Sequence, residues 1–162
     1  MQDLLLLIHR IPYPPNKGDK IRSWHLLKHL AGQYRVHLAT FVDDPDDWQH
    51  VPHVEAQCAS SHFAALHPLR ARVRSLGALA ANRSLSLDYY RNAGLQRWVD
   101  DTMAAHKIER VLVFSSAMAQ YAEKYPHARR VVDFCDVDSD KWRQYADQKS
   151  WPMSWLYRHE AR

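Results

Sequence analysis

Hydrophobic and polar positions follow two rhythms along this chain, and each change of rhythm marks an element. Leu4-Leu5-Leu6-Leu7-Ile8 is an unbroken apolar run, the pattern of a central parallel strand buried on both faces. Farther on, Ile21, Trp24, Leu27, Leu30 and Ala31 recur at helical spacing and predict a helix with one apolar face. Residues 34–42 are rich in β-formers and predict a second strand, closing a right-handed strand–helix–strand unit. Pro45 suits the first turn of a short helix capped by Asp44, which makes the acidic run 43–47 a solvated helix start rather than a metal site.

Between 51 and 61 the pattern assigns nothing, and residues 62–67 predict a third, edge-like strand. Residues 68–83 carry a basic amphipathic pattern, with Leu69, Val73, Leu76 and Ala80 on one face and Arg70, Arg72, Arg74 and Arg83 beside it. Such a helix either covers a sheet while its arginine stems reach water, or lies on an anionic lipid surface. After a turn at 82–87, a helix is expected over 88–105, with Tyr90, Leu95, Trp98, Val99 and Met103 on its buried side. Residues 110–114 read as another buried strand, Ser115-Ser116 as a loop and cap, 117–125 as a helix, and 130–134 as a fifth strand. A last helix opens near Pro152 and its pattern is still running at Arg162, so a further domain is expected to follow.

Strands alternating with helices imply an α/β, Rossmann-like doubly wound sheet, mostly parallel, of about five or more strands with helices on both faces. With strand order 3-2-1-4-5, ligands are expected at the carboxyl ends of the strands, near the point where the order reverses. Three stretches converge there: the 12–22 loop, Ser115-Ser116, and residues 136–141.

At 162 residues, the chain fits one domain of ordinary size over 1–150, with 151–162 leading onward. The hydrophobic and charged fractions, 46% and 25%, are those of a globular protein, and no apolar run approaches the roughly eighteen residues of a membrane span. Asp3 and the short apolar run do not suit a signal peptide. Cys58 and Cys135 match no disulfide framework, so reduced thiols and a cytosolic setting are expected. A net charge of +4 permits anionic partners without choosing among them.

Candidate chemistry lies in the first crossover. Pro12, Pro14 and Pro15 restrict the loop, Gly18 allows a backbone turn or a close backbone approach, and Asp19 suits the helix N-cap. Lys17, Lys20 and Arg22 add positive charge to the helix N-terminus, which outlines an anion site; the plainer alternative is a helix start with solvated lysines. Asp136, Asp138 and Asp140 alternate as the opening of a calcium loop does, but Lys141 stands where glycine is needed and Asp147 where glutamate is, which excludes that loop. Asp136 and Asp138 also suit the nucleophile and acid of an aspartate-dependent phosphatase, although that pair follows the first strand of its fold, not the last. Otherwise Asp138 or Ser139 caps a helix. His25 and His29 have metal-ligand spacing without an evident third ligand. The chain has no GxGxxG, Walker or GxSxG motif, which argues against dinucleotide dehydrogenases, P-loop enzymes and serine hydrolases.

Four stretches carry a resemblance. They are His9-Arg10-Ile11-Pro12-Tyr13-Pro14-Pro15-Asn16-Lys17-Gly18-Asp19-Lys20-Ile21-Arg22, residues 40–44, residues 114–121 and residues 133–142. Together they resemble the N-terminal domain of family 4 retaining glycosyltransferases, and more narrowly the sugar transferases of bacterial exopolysaccharide and exosortase (PEP-CTERM) systems. The resemblance implies the N-terminal, acceptor-side half of a GT-B fold, with the donor-binding domain downstream and this half inactive alone. It implies a nucleotide-sugar substrate, no metal or cofactor, a saccharide or lipid-linked acceptor, no nucleic acid, and a cytoplasmic enzyme peripheral to the inner membrane through the Leu69 to Arg83 helix. By position, Lys17, Gly18, Asp19, Lys20 and Arg22 approach the donor phosphates. Asp136 stands near a histidine of the family beside the reacting sugar, and Ser115, Ser116, Asp138 and Lys141 lie on the acceptor side. Many members have two adjacent glycines in the first loop where this chain has Lys17-Gly18.

Overall fold

The computed structural model describes residues 1–67 and 84–135, together with positions 144, 147, 148, 150, 151 and 154. The amphipathic 68–83 segment, Asp136, Asp138, Lys141 and most of the final helix pattern lie outside the described residues. Five parallel strands form one sheet in the order β3-β2-β1-β4-β5, as expected from the sequence. The strands are β1 (Gln2–Ile8), β2 (Tyr34–Val42), β3 (Ser60–Ala65), β4 (Arg110–Phe114) and β5 (Arg129–Asp133). The helices between them are α1 (Gly18–Ala31), α2 (Val51–Glu55), α3 (Leu85–Tyr89) and α4 (Ala93–His106). Among the described residues no helix is long and apolar enough to cross a membrane.

The unbroken leucine run explains the middle of the sheet. Side chains alternate along a strand, so Leu4, Leu6 and Ile8 face Trp24, Leu27 and Leu30 of α1, while Leu5 and Leu7 pack with Leu95, Val99 and Met103 of α4. Leu5, Leu6, Leu7 and Ile8 are wholly buried, and each is worth about 1.5–3 kcal/mol over an exposed side chain. A central strand that is apolar on both faces can be covered only by helices on both sides.

Several elements differ from their expected form. Ile21 was expected on the buried face of α1 but is 44% exposed, and Lys20 and Ser23 are buried instead. The helix expected over 88–105 is divided into α3 and α4, and part of the expected 82–87 turn is helical. The division sits at Tyr90–Asn92: Tyr121 Oη donates to the Tyr90 carbonyl and accepts from the Asn92 N–H, while the Asn92 side chain caps α4 by accepting from the Leu95 N–H. A tertiary tyrosine thus holds a bend that helical periodicity does not show. The helix expected over 117–125 is a 3-10 turn over Ser116–Tyr121. Beyond it, the Ala122 carbonyl accepts from the Tyr125 N–H in a further i+3 turn and from the Arg130 guanidinium. The open stretch after β2 is a 3-10 turn, Pro45–His50, running into α2; Asp44 caps that turn by accepting from the Asp46 N–H.

Candidate functional site

The carboxyl ends of β1 and β4 lie side by side where the strand order reverses, with β2 and β5 on either flank. Each strand delivers polar residues immediately past its last paired position: His9 and Arg10 after β1, Asp43 after β2, and Ser115 after β4, while β5 ends on Asp133. The N-terminus of α1 lies above them. Asp19, in its first turn, accepts from Arg10 Nη1 at 3.3 Å and lies 3.4 Å from His9 Nε2; Arg10 Nε reaches Asp43 at 3.0 Å. Arg22 crosses to Asp133 at 2.7 Å and places its guanidinium over the Phe114 ring. His9 stacks on that same ring at 6.0 Å, with Tyr90 edge-on to the histidine.

Asp19 therefore does not cap α1. Lys17 occupies the cap position, no side-chain cap bond forms, and the Asp19 carboxylate spans back to the β1 loop. Gly18 adopts no positive φ, and a methyl group built on it meets nothing within 4 Å. The turn itself does not require glycine, and the backbone there is open to close approach. Lys20 is withdrawn from the surface: it is 3% exposed and its ammonium lies 2.5 Å from the Asp47 carboxylate. Lys17 is exposed, and among the described residues it has no ion-pair partner.

Ser115 takes φ 87°, a conformation costly to a residue with a Cβ. Its N–H donates to the Asp133 carbonyl, continuing the β4–β5 ladder one step beyond the sheet. Ser116 begins the 3-10 turn and is half-buried. Asp133 serves two directions, taking Arg22 on one oxygen and the Cys135 N–H on the other at 3.1 Å. It ties α1 to the place where residues 136–141 begin. Neither Cys58 nor Cys135 forms a disulfide; burial pushes the Cys58 thiol up to about 12, so it stays protonated.

Electrostatically, the site sets burial against pairing. Burial holds the His9 imidazole below its ordinary value, while neighbouring Asp19 pulls the other way. His9 Nδ1 is buried without a hydrogen-bond partner among the described residues. Burial likewise pushes the Tyr90 hydroxyl up to about 12, which keeps it neutral. The arrangement is a charged rim around the first turn of α1, whose Gly18, Asp19 and Lys20 N–H groups precede the first intrahelical bond, from the Ile21 N–H to the Lys17 carbonyl. It can receive an anion between Lys17 and the helix end.

Sequence reasoning assigned the 17–22 cations, Ser115 and Ser116, and missed His9, Arg10, Asp43 and Asp133 as site builders. One signal could have found them, because each stands at the carboxyl end of a strand, where ligands bind in such sheets. His25 and His29 join no group of three metal-competent side chains among the described residues, and His29 contacts Gln33 instead. A groove of about 370 Å³ lies away from this rim, near the amino end of β4, but its Asp100 is already bonded to Lys124, Tyr125 and Gln96. No protein-family model, no curated protein and no solved structure matches the chain.

Proposed function

We propose that this chain is the acceptor-side N-terminal domain of a GT-B glycosyltransferase, which moves a sugar from a nucleotide-sugar to a saccharide or lipid-linked acceptor in bacterial exopolysaccharide synthesis. One observation carries the reading: the α1 N-terminus, with Gly18 open and Lys17 exposed, stands over the β1–β4 switch point. Breaking the bond to a nucleoside diphosphate builds negative charge on the leaving phosphate, and unpaired helix N–H groups with nearby cations stabilise it without a metal. Lys17 and the Gly18 N–H suit that role. Lys20 acts one step back, fixing the first turn through Asp47, and Arg22 holds α1 to the end of β5. Ser115, Ser116, Asp138 and Lys141 belong to the acceptor side of this reading, with Asp136 orienting hydroxyls at the reacting sugar. A lipid-linked acceptor would place the basic 69–83 segment against the inner membrane.

The test is hydrolysis and transfer across a panel of nucleotide-sugars by the protein carrying its downstream domain, with residues 1–162 alone as control. Turnover only in the longer protein supports a site split between two domains. No turnover with any donor, beside tight nucleotide binding by residues 1–162, replaces the transferase with a non-catalytic anion-binding module. Asp136→Ala in the longer protein tests the remaining role, since unchanged turnover removes Asp136 from the chemistry. Gly18→Ala separates approach from folding: stability is expected to hold or to rise by up to about 1 kcal/mol, while transfer falls.

A further inference from the structure

The amino-terminal edge of the sheet carries a second polar group that the transferase reading does not use. Strand register puts it there. Leu5 pairs with His37, His37 pairs with Ser60, and Asp3 stands two residues before Leu5, so side-chain alternation sets Asp3, His37 and Ser60 on one face of three adjacent strands. That face is the one α4 covers. The last residue of α4, His106, closes the group with its ring 4.3 Å from that of His37.

We propose that Asp3, His37 and His106 form a binding site for a divalent first-row transition cation, zinc fitting best. One ligand atom from each lies within 4.8 Å of the other two, and ligands about 2.0–2.2 Å from zinc stand about 3.3–3.6 Å apart at the tetrahedral angle. Small side-chain rotations therefore close the group on a cation. Two imidazoles and one carboxylate suit zinc, whereas calcium and magnesium take sets made of oxygen alone.

The orientation of His37 is the second argument. It is 1% exposed, with Nδ1 2.7 Å from Ser60 Oγ and Nε2 2.8 Å from Asp3 Oδ1. A metal-binding histidine commonly has its other ring nitrogen fixed by an outer hydrogen bond, and Ser60 is placed to accept one. In the tautomer that carries its proton on Nδ1 and donates it to Ser60 Oγ, His37 leaves the Nε2 lone pair for the ion. The Nε2 lone pair and an Asp3 carboxylate oxygen then both face the ion. His106 is exposed, so the remaining coordination positions open to solvent and take water. Arg35, half-exposed and 3.6 Å from Asp3, opposes the cation through one surface contact of the kind that is worth little. The bound ion would tie β1, β2 and the end of α4 together at the edge opposite the proposed donor site.

Titrating the chain with Co²⁺, followed by visible absorption and by Zn²⁺ competition, tests the site. One cation per chain is expected, with a ligand-field spectrum of low coordination number that Zn²⁺ removes. His106→Ala, at an exposed position, abolishes that binding without unfolding the chain. Ser60→Ala weakens it by about 10- to 100-fold, and Arg35→Gln tightens it. Stoichiometric binding that survives His106→Ala would place the cation elsewhere among the eleven histidines and overturn the assignment. Absence of saturable binding at millimolar Co²⁺ overturns it equally, leaving Asp3 and His37 as a hydrogen-bonded pair alone.

Discussion

The two edges of the sheet are built by opposite means. At the carboxyl edge, the chemistry sits on loops and on the first turn of α1, joined by pairs between partly exposed groups: Arg10 with Asp19 and Asp43, Arg22 with Asp133. At the amino edge, Asp3, His37 and Ser60 belong to the strands themselves, and both partly buried bonds converge on the buried His37 ring. Loop residues can change without disturbing strand packing, whereas a polar side chain inside a strand must find partners in its neighbours. The carboxyl edge can thus vary without disturbing the strands, whereas any ligand at the amino edge must be served by side chains of the strands themselves. Lys20 is the exception at the carboxyl edge, because its charge is buried.

The largest way to break this contrast is therefore at Lys20. Lys20→Ala strands the Asp47 carboxylate and should cost about 3–5 kcal/mol, whereas replacing both partners by apolar residues of similar volume should be neutral or stabilising. Chemical denaturation of the single and double variants distinguishes the two. Next comes the amino edge: His37→Phe removes the partner of both Asp3 and Ser60 and should cost about 1–3 kcal/mol by the same measurement.

A smaller effect sharpens the electrostatic side of the comparison. Burial depresses the His9 value in the folded state below its ordinary 6.5, so the unfolded chain takes up a proton first as pH falls. The stability that neutral His9 contributes is full above pH 6.5 and is lost as pH falls from there through the folded value. A His9→Leu variant should show a shallower decline in denaturation midpoint between pH 7 and 5. Asp3 acts lower on the scale: with its folded value held down by His37, its contribution is present above 3.8 and disappears as pH falls through the folded value. Smallest is Arg22→Ala. Arg22 is 57% exposed, and such pairs contribute about 0.2–1 kcal/mol, so stability should barely move while donor turnover in the longer protein falls.

Hydrophobic rhythm alone made the sheet legible. Four consecutive leucines and an isoleucine can be buried only between two helical layers, and strands alternating with helical periods give the α/β class, whereas β3, Ser60–Ala65, is not an apolar run and its start was not legible. Position at strand ends likewise pointed to the Gly18 loop and Ser115-Ser116. Tertiary structure decided which charges are available. Lys17, Lys20 and Arg22 look alike in the sequence, yet one is exposed, one is sealed against Asp47 and one is spent on Asp133, a residue 111 positions away. The same holds for Asp19, drawn from capping to His9 and Arg10, and for the bend at Tyr90–Asn92 imposed by Tyr121. Periodicity records which face a residue presents to the core, a local property of the backbone. The partner of a charge is set by strand register and by which loops meet at one edge, and no local stretch of the chain contains that information.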